Sequence, residues 1–375
     1  MELEFLTTTG FRNLERGTVA FEPGVNVIVG GNGQGKTNLL EAIHTLGTGR
    51  SFRSAGHRSL VRHGKTAYRL EGRVNVRGGP VILELLWRAG TPPVCGYRIN
   101  GVRVTVSEYL QVLPMVVLSG SDHELVTGPP GVRRAFMDRL VFLLEPAALD
   151  DFRRYIRILH QRNAALGRGG QGDEIAAWSE ELATVAGRIV VRRRRVVRRL
   201  EHRFGEVYER LRGPGFPDLV IRYQTESWLE DDGEAPDVAE KYRKRYNSQG
   251  EKERETGYTL WGPHRHDLSL QASGRAVRDY LSAGQVKTVA AALRLAYLGE
   301  VEETRGEHLP LGIDDVDAEL DTEMLARMVG LAEDGRQLFL TSAHGPVPLP
   351  GDRDVCRLWM SAGRTRRDGS VEENA

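Results

Sequence analysis

Apolar residues in the N-terminal third of the chain either alternate with polar residues or form short continuous runs. Both patterns are typical of β-strands, the first of half-buried strands and the second of strands covered on both faces. The predicted strands are residues 3–9, 25–29, 68–76, 81–87 and 112–118. A helical pattern interrupts them at residues 38–46, directly after the second strand. This part of the chain is therefore predicted to be rich in strands.

From about residue 131 the apolar spacing changes to that of helices. The pattern predicts three helices, at residues 133–144, 145–166 and 173–212, with weak turns such as 167–172 between them. Residues 226–256 are highly charged and poor in apolar residues, so we expect a mobile loop with a short helix there.

Strand patterns return near Tyr258, and the polar tail from Gly363 is expected to be disordered. The C-terminal part is predicted to contain strands at 309–313 and 337–340 and helices at 284–301 and 322–332. The simplest arrangement is an α/β domain that a helical insertion splits in sequence. We predict that residues 1–124 and 257–375 form one lobe and that residues 125–256 form the inserted helical lobe.

The amino-acid composition limits the possible classes of protein but does not identify a function. The chain has 375 residues, of which 40% are hydrophobic and 27% charged, as expected for a soluble globular protein. Its formal net charge is +1, so any binding of nucleic acid must come from a local patch. Two cysteines, Cys95 and Cys356, offer no disulfide framework and no metal cluster, which suits a reducing cytosol.

We expect a cytoplasmic protein without a membrane partner. No apolar run approaches the roughly 20 residues that cross a bilayer. The N-terminal sequence MELEFLTTTGFRNLE is acidic and alternating, so we expect neither a signal peptide nor a transit peptide.

The segment GGNGQGKT fits the phosphate-loop pattern GxxxxGK(S/T). It follows the predicted strand 25–29 and opens the predicted helix at Asn38, which is the context that the pattern needs. Glycines let the backbone curl so that its N–H groups face phosphates. The loop residues are Gly30, Gly31, Asn32, Gly33, Gln34, Gly35, Lys36 and Thr37. We expect Lys36 to reach the β- and γ-phosphates and the Thr37 hydroxyl to ligate Mg²⁺.

The apolar strand at 309–313 ends in two carboxylates, Asp314 and Asp315. In a phosphate-loop fold the first such carboxylate holds Mg²⁺ together with the loop hydroxyl, so Asp314 is the predicted metal-side residue. Asp315 is the predicted base that orients the attacking water. Aspartate is shorter than the glutamate often found in that role, so we expect slow hydrolysis. The alternative is a solvated acidic turn, because Asp317, Glu319 and Asp321 follow closely.

A third candidate follows the predicted strand at 337–340, in the sequence TSAH. His344 lies just past the strand, where it is a candidate sensor of the γ-phosphate. A histidine in a loop is as readily an ordinary surface residue, and both alternatives stay open.

The sequence SAGQ at residues 282–285 is a second candidate phosphate cradle, because it heads a predicted helix. The chain thus runs from phosphate loop through helical insertion, SAGQ and acidic strand to the histidine loop. This order resembles the heads of ABC-type ATPases, in which the signature loop faces the γ-phosphate bound to a second subunit. The resemblance implies a mixed sheet with an antiparallel β subdomain, and it makes Ser282, Gly284 and Gln285 contacts to the partner's ATP.

Finer motifs resemble the RecF family of bacterial recombination-mediator ATPases. These motifs are FRNL at 11–14, GRSFR at 49–53, VLS at 117–119, RRAFMD at 133–138, WGPHRHD at 261–267 and DDVDAELD at 314–321. The resemblance covers nearly the whole chain, and it adds Arg12 and Asn38 to the residues assigned to the nucleotide. Three features depart from the expected pattern. His266 and Val286 stand where Asp and Gln are expected, and no convincing glutamine follows the predicted strand 112–118.

The resemblance implies an ATP-dependent DNA clamp that associates with the nucleoid. Proteins of this family bind double-stranded DNA and single-strand/double-strand junctions, form homodimers on ATP, hydrolyse it weakly and act with RecR and RecO. Their task is to help load RecA at gaps covered by single-strand binding protein.

Two basic regions are candidates for the DNA contact. One is an arginine run in the longest predicted helix, whose apolar residues recur on one face and leave the arginines on the others. The other lies near the phosphate loop. The candidates are Arg192, Arg193, Arg194, Arg195, Arg198 and Arg199 in the run, and Arg53 and Lys65 near the loop. Charge runs are often only solvated faces that pair with local acids, so both explanations of the run stay open.

Two other functions compete with the DNA clamp. An ATPase subunit of a membrane transporter is also an ABC head, but its signature reads closer to LSGGQ and its helical lobe is shorter. A small-molecule phosphate-loop kinase leaves SAGQ and the Asp314–Asp315 pair without a purpose.

Overall fold

The computed structural model describes residues 1–54, 56–229, 233–272, 274–277, 280–319, 322–331, 335–345, 347 and 355–367. These residues form two compact units. The first comprises Met1–His123, Arg210–Arg212 and Lys287–Ala375, and the second comprises Glu124–Glu209 and Gly213–Val286. These two units are defined by which residues pack together. The predicted division into one lobe of residues 1–124 and 257–375 and an inserted lobe of residues 125–256 stays a prediction.

The strands are β1 Glu2–Thr9, β2 Gly17–Ala20, β3 Val25–Val29, β4 Ala67–Val76, β5 Gly79–Arg88, β6 Val94–Ile99, β7 Val102–Arg103, β8 Val116–Leu118, β9 Val220–Gln224, β10 Asp267–Ala272, β11 Arg275–Ala276, β12 Leu311–Ile313, β13 Leu338–Ser342, β14 Val355–Ser361 and β15 Arg364–Arg367. The α-helices are α1 Lys36–Thr48, α2 Val106–Leu110, α3 Glu124–Thr127, α4 Pro130–Leu144, α5 Ala148–Gly167, α6 Gly172–Leu211, α7 Ala235–Ser248, α8 Gly250–Thr256, α9 Ala283–Arg305, α10 Val316–Glu319 and α11 Thr322–Leu331.

The first unit contains two sheets of six strands each. One is antiparallel, in the order β2-β1-β4-β5-β6-β7. The other has the order β15-β14-β3-β13-β12-β8 and is parallel except for β15. Every residue of β3 is buried, as its continuous apolar sequence predicts. Parallel strands end at a common edge, and there the loops after β3, β12 and β13 come together.

Helix α1 packs its apolar residues into the core of the first unit, which β1, β4 and β5 also line. Most of α1 is buried, including Leu39, Leu40, Ile43 and Leu46. Helix α1, which begins at the phosphate loop, is therefore held by packing on most of its surface.

The second unit has a helical core and a three-stranded sheet in the order β11-β10-β9. The core is built from α5, α6 and α7, whose buried residues include Ile158, Leu182, Ile189 and Tyr242. The long helix predicted at 173–212 is confirmed as α6.

Four local predictions from the sequence were wrong. The strand predicted at 112–118 begins only at Val116, because Pro114 has no N–H to donate to a sheet. The segment 226–256, expected to be a mobile loop with one short helix, contains two helices, α7 and α8. Its Val238, Tyr242 and Tyr246 recur every four residues and are buried in the helical core. No strand forms at Tyr258 in the described part of the chain, and the next strand is β10.

The fourth error concerns the tail. Residues 364–367, expected to be disordered, form β15 and pair with β14. The turn between them has Ala362 at φ 48° and Gly363 at φ 79°, which matches the twist of a tight hairpin. Predictions for Leu320, Asp321, Ala332 and the end of the tail from residue 368 lie outside the described residues. Across the ranges that the structure describes, no helix is long and apolar enough to cross a membrane.

Candidate nucleotide site and associated surfaces

The loop between β3 and α1 has the backbone that a phosphate cradle needs. Gly33 has φ 78° and Gly35 has φ 114°, values that residues with a side chain rarely adopt. Gly35 is the N-cap of α1, and no side chain caps the start of this helix. The N–H groups at the start of α1 are therefore left to an anion, which the helix dipole also favours.

Lys36 is buried, with 7% of its surface exposed, and its Nζ donates a hydrogen bond to the carbonyl oxygen of Gly31 at 3.1 Å. Neighbouring segments hold the loop in place. Asn13 donates to the carbonyl of Gly33 at 3.2 Å, and Gln34 accepts hydrogen bonds from the backbone of the β14–β15 turn. The loop is thus supported from both sides before any ligand binds.

An open pocket of about 210 Å³ lies over the loop. It is lined by Asn32, Gly33, Gly35, Lys36, Thr37, Asn38, Arg53 and Asp315. The structure therefore brings the phosphate loop together with Asp315, which is distant in sequence. It also places Arg53, a predicted DNA contact, in this pocket, where its Nη1 donates to Asn38 Oδ1 at 3.1 Å.

Asp314 ends β12 beside the loop and is 9% exposed. Burial raises the pKa of its carboxyl above the ordinary value, although hydrogen bonds from the hydroxyls of Thr341 and Thr37 act in the opposite direction. The Thr341 hydroxyl lies 2.8 Å from Asp314 Oδ1. Thr37 and Asp314 thus present adjacent oxygen atoms, the ligand type that Mg²⁺ prefers. Thr341 was not predicted to take part in the site, although it is the first residue after the predicted strand 337–340.

Asp315 has φ 53°, in the left-handed region that aspartate tolerates better than most residues. Its backbone N–H donates to Thr341 Oγ1 at 2.7 Å. One threonine therefore holds both acidic residues at the end of β12. The strained backbone turns the side chain of Asp315 towards the phosphate pocket that it lines.

The histidine loop is anchored by another carboxylate. Asp317 Oδ2 accepts hydrogen bonds from Ser342 Oγ at 2.8 Å, from the backbone of Ala343 at 2.7 Å and from the backbone of His344 at 3.2 Å. The His344 side chain is exposed and is not among the residues that line the phosphate pocket. Its role as a sensor stays a prediction.

Arg12 also lies outside the lining of this pocket. Its guanidinium forms two hydrogen bonds of 2.8 Å with Glu41, a carboxylate of α1 that is fully buried. Ser51 donates to the same carboxylate and in turn accepts from the backbone of Arg53 at 2.8 Å. Arg12 and Glu41 therefore brace the segment that carries Arg53. Glu41 was not predicted to take part in the site, although it lies within the helix predicted at residues 38–46.

In the second unit, the SAGQ segment forms a closed capping box at the start of α9. The Gln285 side chain accepts from the backbone of Ser282 at 2.9 Å, and the Ser282 hydroxyl accepts from the backbone of Gln285 at 3.3 Å. A Cβ on Gly284 would meet nothing within 4 Å, so packing within the chain does not require glycine there. This open space leaves room for a group from outside the chain.

The arginine run of α6 divides into two sets. Arg193 is 3% exposed and forms two hydrogen bonds with Asp138, at 2.7 and 2.9 Å. Arg192 pairs with Glu145 and Asp151. The others line a groove of about 320 Å³, namely Arg194, Arg195, Arg198 and Arg199. Of these, Arg194 donates to the carbonyl oxygen of Leu229, and Arg195 Nη1 donates to Glu145 Oε1 at 2.9 Å. Lys65, the remaining candidate, is exposed on the first unit.

The GPHR segment is buried among aromatic and charged residues of the second unit. His266 lies 2.5 Å from Glu226 and 2.6 Å from the hydroxyl of Tyr223. Burial lowers the pKa of His266, against the effect of Glu226. Burial also lowers the pKa of His264 to about 4, and its Nδ1 lies 2.7 Å from the Tyr155 hydroxyl. Both histidines therefore act as neutral parts of the packing at neutral pH.

A sheet with a phosphate loop at its carboxyl edge, an acidic strand end beside that loop and a helical insertion define an ATPase head of the SMC type. Residues 2–349 match the family described as RecF/RecN/SMC N terminal domain. The chain is 32% identical to the DNA replication and repair protein RecF of Bacillus subtilis over 349 residues, which are 91% of this chain and 93% of that protein. It is 35% identical to RecF of Magnetococcus marinus over 366 residues, 94% of each chain.

The comparison with solved structures agrees with this family match. The recombination mediator RecF with ATP, in the RecFOR pathway, superposes with a TM-score of 0.88 at 28% identity over 97% of each chain. An Smc head bound to ScpA has a TM-score of 0.52 at 17% identity, covers 97% of this chain and 97% of its own, and shows the fold alone. This chain belongs to the RecF family of DNA replication and repair proteins.

Proposed function

We propose that this chain is an ATP-dependent DNA-binding protein of recombinational repair. ATP drives it into a homodimer that clamps double-stranded DNA or single-strand/double-strand junctions. In this role it helps RecR and RecO load RecA at gaps, and it hydrolyses ATP weakly as a switch. The observation that carries the proposal is the pocket in which Lys36, Thr37, Arg53 and Asp315 meet over the phosphate loop.

The nucleotide phosphates would lie on the loop backbone and on Lys36. The Thr37 hydroxyl and the Asp314 carboxylate are the residues that would hold Mg²⁺, which neutralises phosphate charge when it is bound. Asp315 would orient the attacking water. Because its carboxylate is shorter than that of glutamate and its backbone is held by Thr341, we expect a low rate of hydrolysis.

Ser282, Gly284 and Gln285 would complete the site of a second copy of the chain. Their capping box is closed in the single chain, and its hydroxyl and amide are groups that bind phosphate oxygens well. The open space beside Gly284 supports the approach of the partner's nucleotide.

Duplex DNA would contact the exposed arginines of the α6 groove. The Arg195 side chain is 60% exposed, and Arg198 and Arg199 are exposed as well. Arg193 is excluded from this surface, because its guanidinium is committed to Asp138 and to the carbonyl of Pro263. Phosphate contacts of this kind are independent of base sequence and weaken with salt.

Hydrolysis and sedimentation test the proposal. Plasmid DNA is expected to increase the ATPase rate and to favour the dimer formed with a non-hydrolysable ATP analogue. Arg198→Glu combined with Arg199→Glu should weaken duplex binding about tenfold and reduce its salt dependence. The matched control is Arg154→Glu, an exposed arginine of α5. The proposal fails if plasmid DNA changes neither hydrolysis nor dimerisation.

A further inference from the structure

Thr341 lies at the end of the strand that separates the phosphate-loop strand from the acidic strand. It belongs to β13, which is placed between β3 and β12 in the parallel part of the sheet. In the register of this sheet Thr341 pairs with Ile28 of β3, and Leu340 pairs with Ile313, the last residue of β12. Thr341 is 0% exposed. The sheet therefore fixes a buried hydroxyl group between the two strands whose ends carry the candidate nucleotide site.

The hydroxyl of Thr341 uses its oxygen and its hydrogen for two different acidic residues. A hydroxyl group has one hydrogen to donate and two lone pairs that accept. The backbone N–H of Asp315 can only donate, so Thr341 Oγ1 accepts there, at 2.7 Å. The hydroxyl hydrogen is donated to Asp314 Oδ1, at 2.8 Å. One hydroxyl group therefore sets the position of the predicted metal-side carboxylate and of the backbone that carries the predicted base.

The backbone of Asp315 depends on this contact more than an ordinary backbone would. Its φ of 53° lies in the left-handed region, which costs free energy for a residue with a Cβ and persists only where surrounding contacts hold it. The aspartate side chain has a single methylene group, so it has little reach with which to compensate for a change in its backbone. Asp315 therefore lines the phosphate pocket as long as its backbone keeps this conformation.

We propose that Thr341 is a positioning residue for ATP hydrolysis, because its hydroxyl holds Asp315 towards the attacking water and Asp314 beside the Thr37 hydroxyl. The inference rests on the proposed ATPase function and deepens it. Thr341 is not among the residues that line the phosphate pocket, so it acts through the two acidic residues rather than on the nucleotide. Lys36 and the loop backbone would keep their own contacts without this hydroxyl. Its removal should therefore lower the rate of hydrolysis and leave ATP affinity nearly unchanged.

Thr341→Val tests the hydroxyl, because valine keeps the branched shape and replaces the hydroxyl by a methyl group. The steady-state hydrolysis rate at saturating ATP and Mg²⁺, with plasmid DNA present, should fall about thirtyfold, within the range for the loss of a group that supports a metal site. The dissociation constant for a non-hydrolysable ATP analogue, measured by titration, should change less than about twofold. A general loss of structure would lower both the rate and the affinity.

Thr341→Ser and Thr341→Ala form a second pair that does not depend on whether valine fits the site. Both side chains are smaller than threonine, and only serine keeps the hydroxyl. Thr341→Ser should hydrolyse ATP within about threefold of the unchanged protein, whereas Thr341→Ala should lose about thirtyfold. Urea denaturation of each variant checks that it is folded.

Thr45→Val is the matched control for the removal of a buried hydroxyl. Thr45 lies in α1 and is also 0% exposed, and its hydroxyl has no hydrogen-bond partner among the described residues. This variant should keep the hydrolysis rate within about twofold, because nothing in the described structure depends on that hydroxyl.

The variants and the unchanged protein answer separate questions. If Thr341→Val hydrolyses ATP as fast as Thr45→Val or faster, the hydroxyl does not support the reaction and the inference is wrong. It is also wrong if Thr341→Ser and Thr341→Ala lose activity equally, or if rate and affinity fall together. If the unchanged protein binds ATP but does not hydrolyse it with or without plasmid DNA, the proposed ATPase function fails, and the role of Thr341 fails with it.

Discussion

Charged residues have opposite environments at two places in this chain, one in each unit. In the first unit, Lys36, Arg53 and Asp315 border an open pocket. In the second unit, Arg162 and Glu253 are 1% and 0% exposed and form an ion pair at 2.5 Å. A buried charge is tolerated only with a close partner, so such pairs hold the fold, whereas charges around an open pocket are left for a ligand.

The arginine run of α6 contains both environments within one helix. Arg193 is buried and paired with Asp138, whereas Arg195, two residues later, is mostly exposed and forms a surface ion pair with Glu145 at 2.9 Å. Each residue of a helix advances about 100° around its axis, so neighbouring arginines meet different surroundings. A charge run therefore does not have one function along its whole length.

The largest expected effect tests the buried pair. Glu253→Gln leaves the Arg162 guanidinium charged and buried, so we expect a loss of about 3–5 kcal/mol in the free energy of unfolding. Urea denaturation measures it. Glu180→Gln is the control, because Glu180 is 60% exposed in its pair with Arg243, and it should cost less than about 1 kcal/mol. Similar losses of stability in both variants would contradict the contrast between buried and exposed ion pairs.

Lys36→Arg tests the open pocket. The charge is kept but its geometry changes, so we expect hydrolysis to fall about a hundredfold and ATP affinity to fall less than about tenfold. Nucleotide titration and steady-state ATPase assays measure the two effects. An equal loss of affinity and hydrolysis would show that Lys36 acts only in binding.

Ser282→Arg tests whether the second unit also carries a ligand site. The added bulk would enter the partner's γ-phosphate position, so dimerisation with a non-hydrolysable ATP analogue should weaken at least about thirtyfold. Nucleotide binding by the monomer should not change. Sedimentation measures the dimer, and Ser248→Arg at the exposed end of α7 is the control. If the Ser282 variant forms a normal dimer, Ser282 does not contact the nucleotide of the partner subunit.

His264→Gln tests a neutral side chain that is buried among charged residues of the second unit. The folded pKa of His264, about 4, lies below the roughly 6.5 of an unfolded chain. Its contribution to stability is therefore complete above that unfolded pKa and is lost as the pH falls towards the folded one. Between about pH 7.5 and pH 5, the original protein should lose about 2 kcal/mol more stability than the variant. Identical pH profiles in urea denaturation would contradict this.

Asp314→Asn gives the smallest change in stability. Burial raises the pKa of this carboxyl, so its charge opposes folding at neutral pH. We expect the variant to lose hydrolysis while its Tm rises by about 2 °C. Calorimetry beside an ATPase assay measures both. A lower Tm would mean that the hydrogen bonds to Asp314 outweigh its burial.

The backbone of the candidate nucleotide site was predictable because it lies in one short stretch of sequence. The strand 25–29, the glycine loop and Lys36 are consecutive in sequence, and the structure reproduces each of them. Its supporting residues were not predictable in this way. Glu41, which accepts from Arg12, and Thr341, which holds both Asp314 and Asp315, act across long sequence separations. No local pattern marks a side chain whose role depends on a distant partner.

The wrong predictions about the fold also arose from contacts between residues that are distant in sequence. The segment 226–256 was predicted to be a mobile loop with a short helix because it is highly charged, but three apolar side chains of α7 pack into a core provided by α5 and α6. The tail was polar enough to suggest disorder, yet Arg364–Arg367 is ordered by its ladder with β14.

The sequence by itself determined the order of motifs, the phosphate loop with its strand and helix, and the resemblance to RecF. These depend on neighbouring residues, whose geometry the backbone fixes directly. The tertiary structure decided which arginines of α6 are buried, that Arg53 lines the pocket over the phosphate loop, and that Trp359 is exposed opposite Arg366 on a paired strand. Burial and charge pairing are properties of surfaces brought together by folding, and one helix turn or one strand register is enough to reverse them.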